Sequence, residues 1–203
     1  MQNINEIYLR GVLKEIEPSH DIDGISFNRA KLISKRENGQ EDVLNLRFKS
    51  FSNKYKENDE VSIKGNVRSY SYKSDNGKNK VVIYVFTYFD EPEDEFVKAN
   101  FVQIDGRICK MNELRKTRSG KHNVHFIIAN NLMSSNNSKR LNSYIPCIAW
   151  GQTAKQLATL PVNTQIKLFG ELHSREHTKT YENGSVEIRV AHELLVESFE
   201  VYE

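Results

Sequence analysis

Apolar and polar residues alternate along most of this chain with a period of two, the spacing of strands that bury one face, rather than 3.6. Val61-Ser62-Ile63-Lys64-Gly65-Asn66-Val67 and Ile166-Lys167-Leu168-Phe169-Gly170-Glu171-Leu172 show it plainly. The alternation predicts strands near 5–16, 25–35, 42–51, 60–70 and 80–89, then near 100–110, 122–131, 143–150, 164–175 and 185–199. Asn38-Gly39 and Asn76-Gly77 stand where hairpin turns are needed, and glycine suits the positive φ of such turns. One segment has helical character, Gly151-Gln152-Thr153-Ala154-Lys155-Gln156-Leu157-Ala158.

The pattern occurs twice. Tyr8-Leu9-Arg10-Gly11-Val12-Leu13 matches Gln103-Ile104-Asp105-Gly106-Arg107-Ile108, and the Gly65 and Gly170 segments match each other. Each is followed by a polar, aromatic-bearing stretch, an Asn-Gly pair (Asn76-Gly77, Asn183-Gly184) and a further strand. Five strands with a short helix between the third and fourth is the order of an OB barrel. A glycine in the first strand suits the bend such a barrel needs. The expected class is all-β: two tandem OB-fold five-stranded barrels, the helix lying between strands 3 and 4 of the second. Another small barrel or sandwich is the alternative. The expected domains are 1–89 and 100–203, separated by an acidic linker at 90–99 that contains Asp90-Glu91-Pro92-Glu93-Asp94-Glu95.

Charge changes the picture when counted by segment. The chain of 203 residues carries a net charge of only +2. Residues 1–89 hold 15 basic and 12 acidic side chains, and residues 100–203 hold 13 and 10, so each half is mildly basic and the linker offsets both. Phosphate attraction must then come from local patches, because screening confines it to about 10 Å in ordinary salt. Cys109 and Cys147 form no CxxC pair; two buried reduced thiols are expected, with one disulfide the alternative. No run of 18 apolar residues exists and the N-terminus has no basic region followed by an apolar stretch, so a soluble cytoplasmic protein without a membrane partner is expected. The six histidines, at 20, 122, 125, 173, 177 and 192, complete no metal set with cysteine or carboxylate. No phosphate loop, dinucleotide glycine pattern or Gly-x-Ser-x-Gly elbow appears, so neither an enzyme nor a cofactor is expected.

What remains is binding. Capture of a single strand without sequence preference needs flat π surfaces for bases and positive charge along the backbone. Tyr70-Ser71-Tyr72-Lys73-Ser74-Asp75-Asn76-Gly77-Lys78-Asn79-Lys80 puts two tyrosines, Tyr70 and Tyr72, with Lys73, Lys78 and Lys80 on one hairpin; an ordinary solvated hairpin is the alternative. Alternation places Arg47, Lys49 and Phe51 on one strand face and Phe48 on the core side. Arg115, Lys116, Arg118 and Lys121 crowd one loop of the second half, for phosphate contact or as a plain solvated loop. Trp150, the single tryptophan, ends a strand and shares its parity with Tyr144; its apolar neighbours Ile148 and Ala149 leave a core position as the alternative.

The second half resembles the bacterial single-stranded DNA-binding proteins. The resemblance covers about 95 residues. It rests on Asn100-Phe101-Val102-Gln103-Ile104-Asp105-Gly106-Arg107-Ile108, on Ser119-Gly120-Lys121 with Phe126-Ile127-Ile128-Ala129, on Tyr144-Ile145-Pro146-Cys147-Ile148-Ala149-Trp150-Gly151-Gln152-Thr153-Ala154, and on Gly170-Glu171-Leu172-His173-Ser174-Arg175. It implies base stacking at Trp150 and Tyr144, and an aromatic seven residues after the hairpin glycine. Tyr72 meets that pattern after Gly65; His177 departs from it after Gly170, with Tyr181 as a substitute, and Arg175 lies on the same hairpin. The first half shares the opening and the Gly65 segment but lacks the Gly-x-x-Ala signature in 52–58. The resemblance implies non-specific single-stranded DNA binding in replication, recombination, repair or mobile-element transfer, and a homodimer that assembles four barrels. RNA binding and a non-catalytic scaffold of a replication or conjugation complex are the alternatives. The alternating end, Leu194 to Glu203, lacks the family's disordered acidic recruitment tail, which points to a phage, plasmid or accessory version with replication or recombination proteins as less direct partners.

Overall fold

The structure, a computed structural model, describes residues 3–50, 55–74, 77, 79–87, 98–133, 140–180 and 184–202. The first set of strands is β1 (Asn5–Ile22), β2 (Ile25–Lys35), β3 (Glu41–Lys49), β4 (Glu60–Lys73) and β5 (Asn79–Thr87). The second is β6 (Asn100–Met111), the short β7 (Arg115–Lys116), β8 (His122–Met133), β9 (Arg140–Trp150), β10 (Gln165–Thr180) and β11 (Val186–Val201), with α1 (Gly151–Leu157) after β9. The expected strands are present, and Gly39 makes the β2–β3 turn at φ +83°. The Asn76 and Lys78 positions of the next hairpin, and 90–97 of the expected linker, lie outside the described residues.

Each set closes on itself. In the first, β1 pairs with β2 and β4, β2 with β3, and β4 with β5, all antiparallel, and a parallel β3–β5 pairing shuts the ring. In the second, β6 pairs with β8 and β10, β8 with β9, β10 with β11, and a parallel β9–β11 pairing shuts it. Alternation sends one face of every strand inward. Leu13, Leu32, Leu44, Leu46 and Ile63 fill the first barrel; Ile104, Ile108, Phe126, Ile128 and Ile145 fill the second. Full burial of such a side chain contributes about 1.5–3 kcal/mol. Helix α1 adds Ala154 and Leu157, both fully buried, to the second core. At Gly11 a Cβ would collide with the Ile33 carbonyl oxygen, because β1 lies this close to β2 where the barrel curls; glycine is there to permit that approach.

The barrels meet through a pseudo-two-fold axis. β1 and β6 pair antiparallel with Asn5 opposite Ile104, Ile7 opposite Val102 and Leu9 opposite Asn100, a register symmetric about Ile7 and Val102. Buried Asn5 exchanges hydrogen bonds with both main-chain groups of Val67 (2.8 and 2.8 Å), and Asn100 does the same with Leu172 (2.7 and 3.0 Å). Farther out, the barrels cross twice. At one crossing the Tyr144 N–H donates to Ser69 Oγ (2.7 Å) and the Ser69 N–H to Ser143 Oγ (3.3 Å). At the other the Val43 N–H donates to Ser174 Oγ (2.8 Å) and the Ser174 N–H to Asp42 Oδ1 (2.6 Å).

Two expectations need correction. The first strand runs to Ile22, not 16: Glu17 to Ile22 continue the hairpin with β2, across register shifts at Lys14/Glu17 and Pro18/His20, and an Asp23-Gly24 turn closes it. Cys147 is buried, and burial pushes its thiol well up, but Cys109 is exposed. It is the extra residue at the register shift between Ile108 and Lys110, and its parity, one past buried Ile108, already places it on the outer face. Both thiols are free.

Candidate nucleic-acid interface

On the first barrel the outward positions of β3, β4 and β5 bring cations and rings together. The register sets Tyr72 beside Lys80, Tyr70 beside Val82 and Arg68 beside Tyr84. The Arg47 guanidinium lies 4.4 Å from the Tyr70 ring centre and 4.8 Å from that of Tyr84. Tyr70 meets Tyr84 edge-on at 5.9 Å and Tyr72 at 6.2 Å. Next to them Arg68 covers the Phe86 ring at 4.1 Å, Phe86 meets Phe27 at 6.2 Å, and Phe27 stacks on His20 at 5.0 Å. A guanidinium on a ring face gains about 0.5–1 kcal/mol where exposed, and at Arg47 the ring contact leaves the N–H groups for an incoming acceptor. The outermost ring, Tyr72, is 44% exposed. Lys49 projects on the same side as Arg47, opposite Phe27, while Phe48 points into the core. Lys73 is exposed at the end of β4.

Tyr144 extends this surface onto the second barrel. Its main chain is tied to Ser69, next to Tyr70, and its ring is 52% exposed. Trp150 lies on the same face of β9, six residues on, which at about 3.3 Å per residue is roughly 20 Å away. It is 40% exposed, whereas Ile148 and Ala149 are buried, so it is not a core residue. It borders a cavity of about 630 Å3 between the barrels, whose walls include Arg36, Lys98, Ile148 and Glu171. Lys98 bridges Glu197 (2.9 Å) and Glu171 (3.7 Å), and the bond to Glu197 raises its pKa. Trp150 pairs with Asn123, two residues beyond Lys121; Arg118 and Lys121 are exposed on the turn that the Thr117 and Gly120 hydrogen bonds close.

The remaining sites fall apart from these. Arg175 and His177 are exposed on the β10–β11 hairpin, opposite Ala191 and Arg189. Arg175 reaches Glu193 at 3.8 Å, and His125 reaches the same carboxylate at 3.8 Å. His173 bonds Glu171 at 2.8 Å. Phe51, Lys78 and Tyr181 lie outside the described residues. The structure also brings in residues the sequence reading passed over: Tyr84, Arg68, Phe86 and Phe27. Their signal is parity: Tyr84 and Phe86 share the outward face of β5 with Lys80 and Val82, Arg68 that of β4 with Tyr70 and Tyr72, and Phe27 lies off the parity of the buried Ala30 and Leu32 on β2. Among the described residues no group of three or more histidine, cysteine or acidic side chains is placed to hold a metal ion, and no helix is long and apolar enough to cross a membrane.

The wild-type single-stranded DNA binding protein from Thermus aquaticus superposes with a TM-score of 0.73 at 16% identity, covering 100% of this chain and 95% of that one. A deletion mutant of the same protein gives 0.72 at 16% identity, with 100% and 96% covered. At this identity the likeness establishes the fold, two OB barrels in one chain. No curated protein matches the chain in sequence. The model of the single-strand binding protein family matches residues 99–202, which span β6 to β11 and slightly more than half of the sequence, and the chain belongs to that family.

Proposed function

We propose that this chain binds single-stranded DNA without sequence preference and without catalysis, where strands are exposed in replication, recombination, repair or mobile-element transfer. The observation that carries the reading is the outer surface on which Tyr72, Tyr144 and Trp150 stand 44%, 52% and 40% exposed, with Arg47 held over the Tyr70 ring. Bases stack on Tyr70, Tyr72, Tyr144 and Trp150. Phosphates meet Arg47, Lys49, Lys73 and Lys80, with Arg118 and Lys121 at the Trp150 end. The units that act are 1–89 and 100–203, joined by 90–99; the closed rings β1–β5 and β6–β11 support that division. Two copies would present four barrels to one strand, and the cytoplasm is the compartment that suits free thiols at Cys109 and Cys147.

The test is Trp150 fluorescence during titration with unlabelled poly-dT at low and high salt, with duplex DNA as control. Quenching by the single strand, reversed by salt as counterions return to the phosphates, is expected. Trp150→Ala should weaken binding by about 1–3 kcal/mol, the worth of one base stack. Absence of both quenching and a gel shift removes the reading. Stronger competition by poly-U than by poly-dT makes RNA the ligand.

A further inference from the structure

The two barrels offer unequal faces. The crossings define which positions correspond: Ser69 with Ser174, and Asp42 with Ser143. Counting on from these, Arg47 corresponds to Ile148 and Tyr70 to Arg175. Thr87 pairs with Gly65 as Val196 pairs with Gly170, so Tyr84, three residues earlier, corresponds to Glu193. Where the first barrel holds an arginine between two tyrosines, the second holds a buried isoleucine beside an Arg175–Glu193 pair.

The chemistry of these two sets differs toward a polyanion. A ring face leaves a guanidinium its full charge, and among the described residues Arg47 has no carboxylate partner. On the second barrel Arg175 and His125 approach Glu193, and His173 and Lys98 approach Glu171. Arg175 and Lys98 are thus already engaged, and the carboxylates repel phosphate.

Resting on the single-strand reading, we infer that the first barrel is the tighter site and is filled first, with Tyr84 as a further base-stacking residue. Trp150 and its basic turn engage only strands long enough to continue onto the second barrel. The stronger site thus lies outside residues 99–202, the part that matches the family model.

The experiment is anisotropy of a labelled dT oligomer of about eight nucleotides, within the span of one OB barrel. It is read on the full chain and on Tyr84→Leu, Arg47→Gln and Trp150→Leu, each checked for folding by thermal melting. Tyr84→Leu should weaken binding at least about fivefold more than Trp150→Leu, the low end of one lost stack. Arg47→Gln, which keeps the strand's bulk and outward polarity, should follow Tyr84→Leu and decides the matter if that variant does not fold. An equal or larger loss with Trp150→Leu overturns the inference and leaves the single-strand reading standing. No binding of dT at any length overturns both.

Discussion

At one crossing between the barrels Ser69 meets Ser143, hydroxyl and amide on each side; at the other Ser174 meets Asp42, whose carboxylate also holds Arg36 at 2.6 and 2.8 Å. Arg36 donates onward to the Ser174 carbonyl at 3.0 Å, and the bond to Asp42 raises its pKa further. The main-chain geometry is the same in both places. The difference teaches that the axis fixes where a donor and an acceptor are needed, and leaves open whether a neutral or a charged group supplies them. At the neutral crossing each serine hydroxyl accepts one bond, so removing one hydroxyl loses one modest bond. The charged one holds Asp42 at 1% exposure, so cutting it leaves a part-buried arginine and an amide without their acceptor.

The comparison is broken most severely by Asp42→Ala. Removing one partner of a buried pair costs about 3–5 kcal/mol, and denaturant unfolding should show a loss near the lower bound because Arg36 keeps 22% exposure. Ser143→Ala should cost about 0.5–1.5 kcal/mol by the same measurement, the net worth of an ordinary hydrogen bond. If the two variants lose equal stability, the charged crossing has no special role. The smallest effect is in pH. His192 donates to the Val43 carbonyl at 2.8 Å at the charged crossing, and burial pulls its imidazole below the usual value, with Lys31 adding to the shift. The folded state therefore resists protonation. The stability this group contributes is present above the unfolded value of about 6.5 and falls as pH drops from there through the folded value. Melting temperature should decline over that window, and His192→Gln should flatten the decline.

Much of the fold was legible because each strand buries one face. The inward residues of β3, from Asp42 through Leu44 and Leu46 to Phe48, are read directly from alternation. The end of β1 was not: Glu17-Pro18-Ser19-His20-Asp21 has no buried face, since it stands out as a free hairpin, and its proline reads as a breaker. Cys109 stands off the parity of Val102, Ile104 and Ile108 on the inner face, so alternation itself turns it outward, and the apolar residues near it do not bury it. In the interface, Arg47 and Tyr70 were visible as outward residues of separate strands. Their contact was not, because it depends on the parallel β3–β5 pairing that closes the barrel. Tyr84 is outward on β5 by the same parity, and only that closure sets it beside Arg47.

The β1–β6 register, symmetric about Ile7 and Val102, has a kinetic consequence. Both partners of this contact belong to one polypeptide. Their meeting is a unimolecular event governed by an effective concentration in the millimolar range for a short tether, whatever the amount of protein present. Dilution cannot part the barrels, so a paired platform persists at the lowest cellular copy numbers.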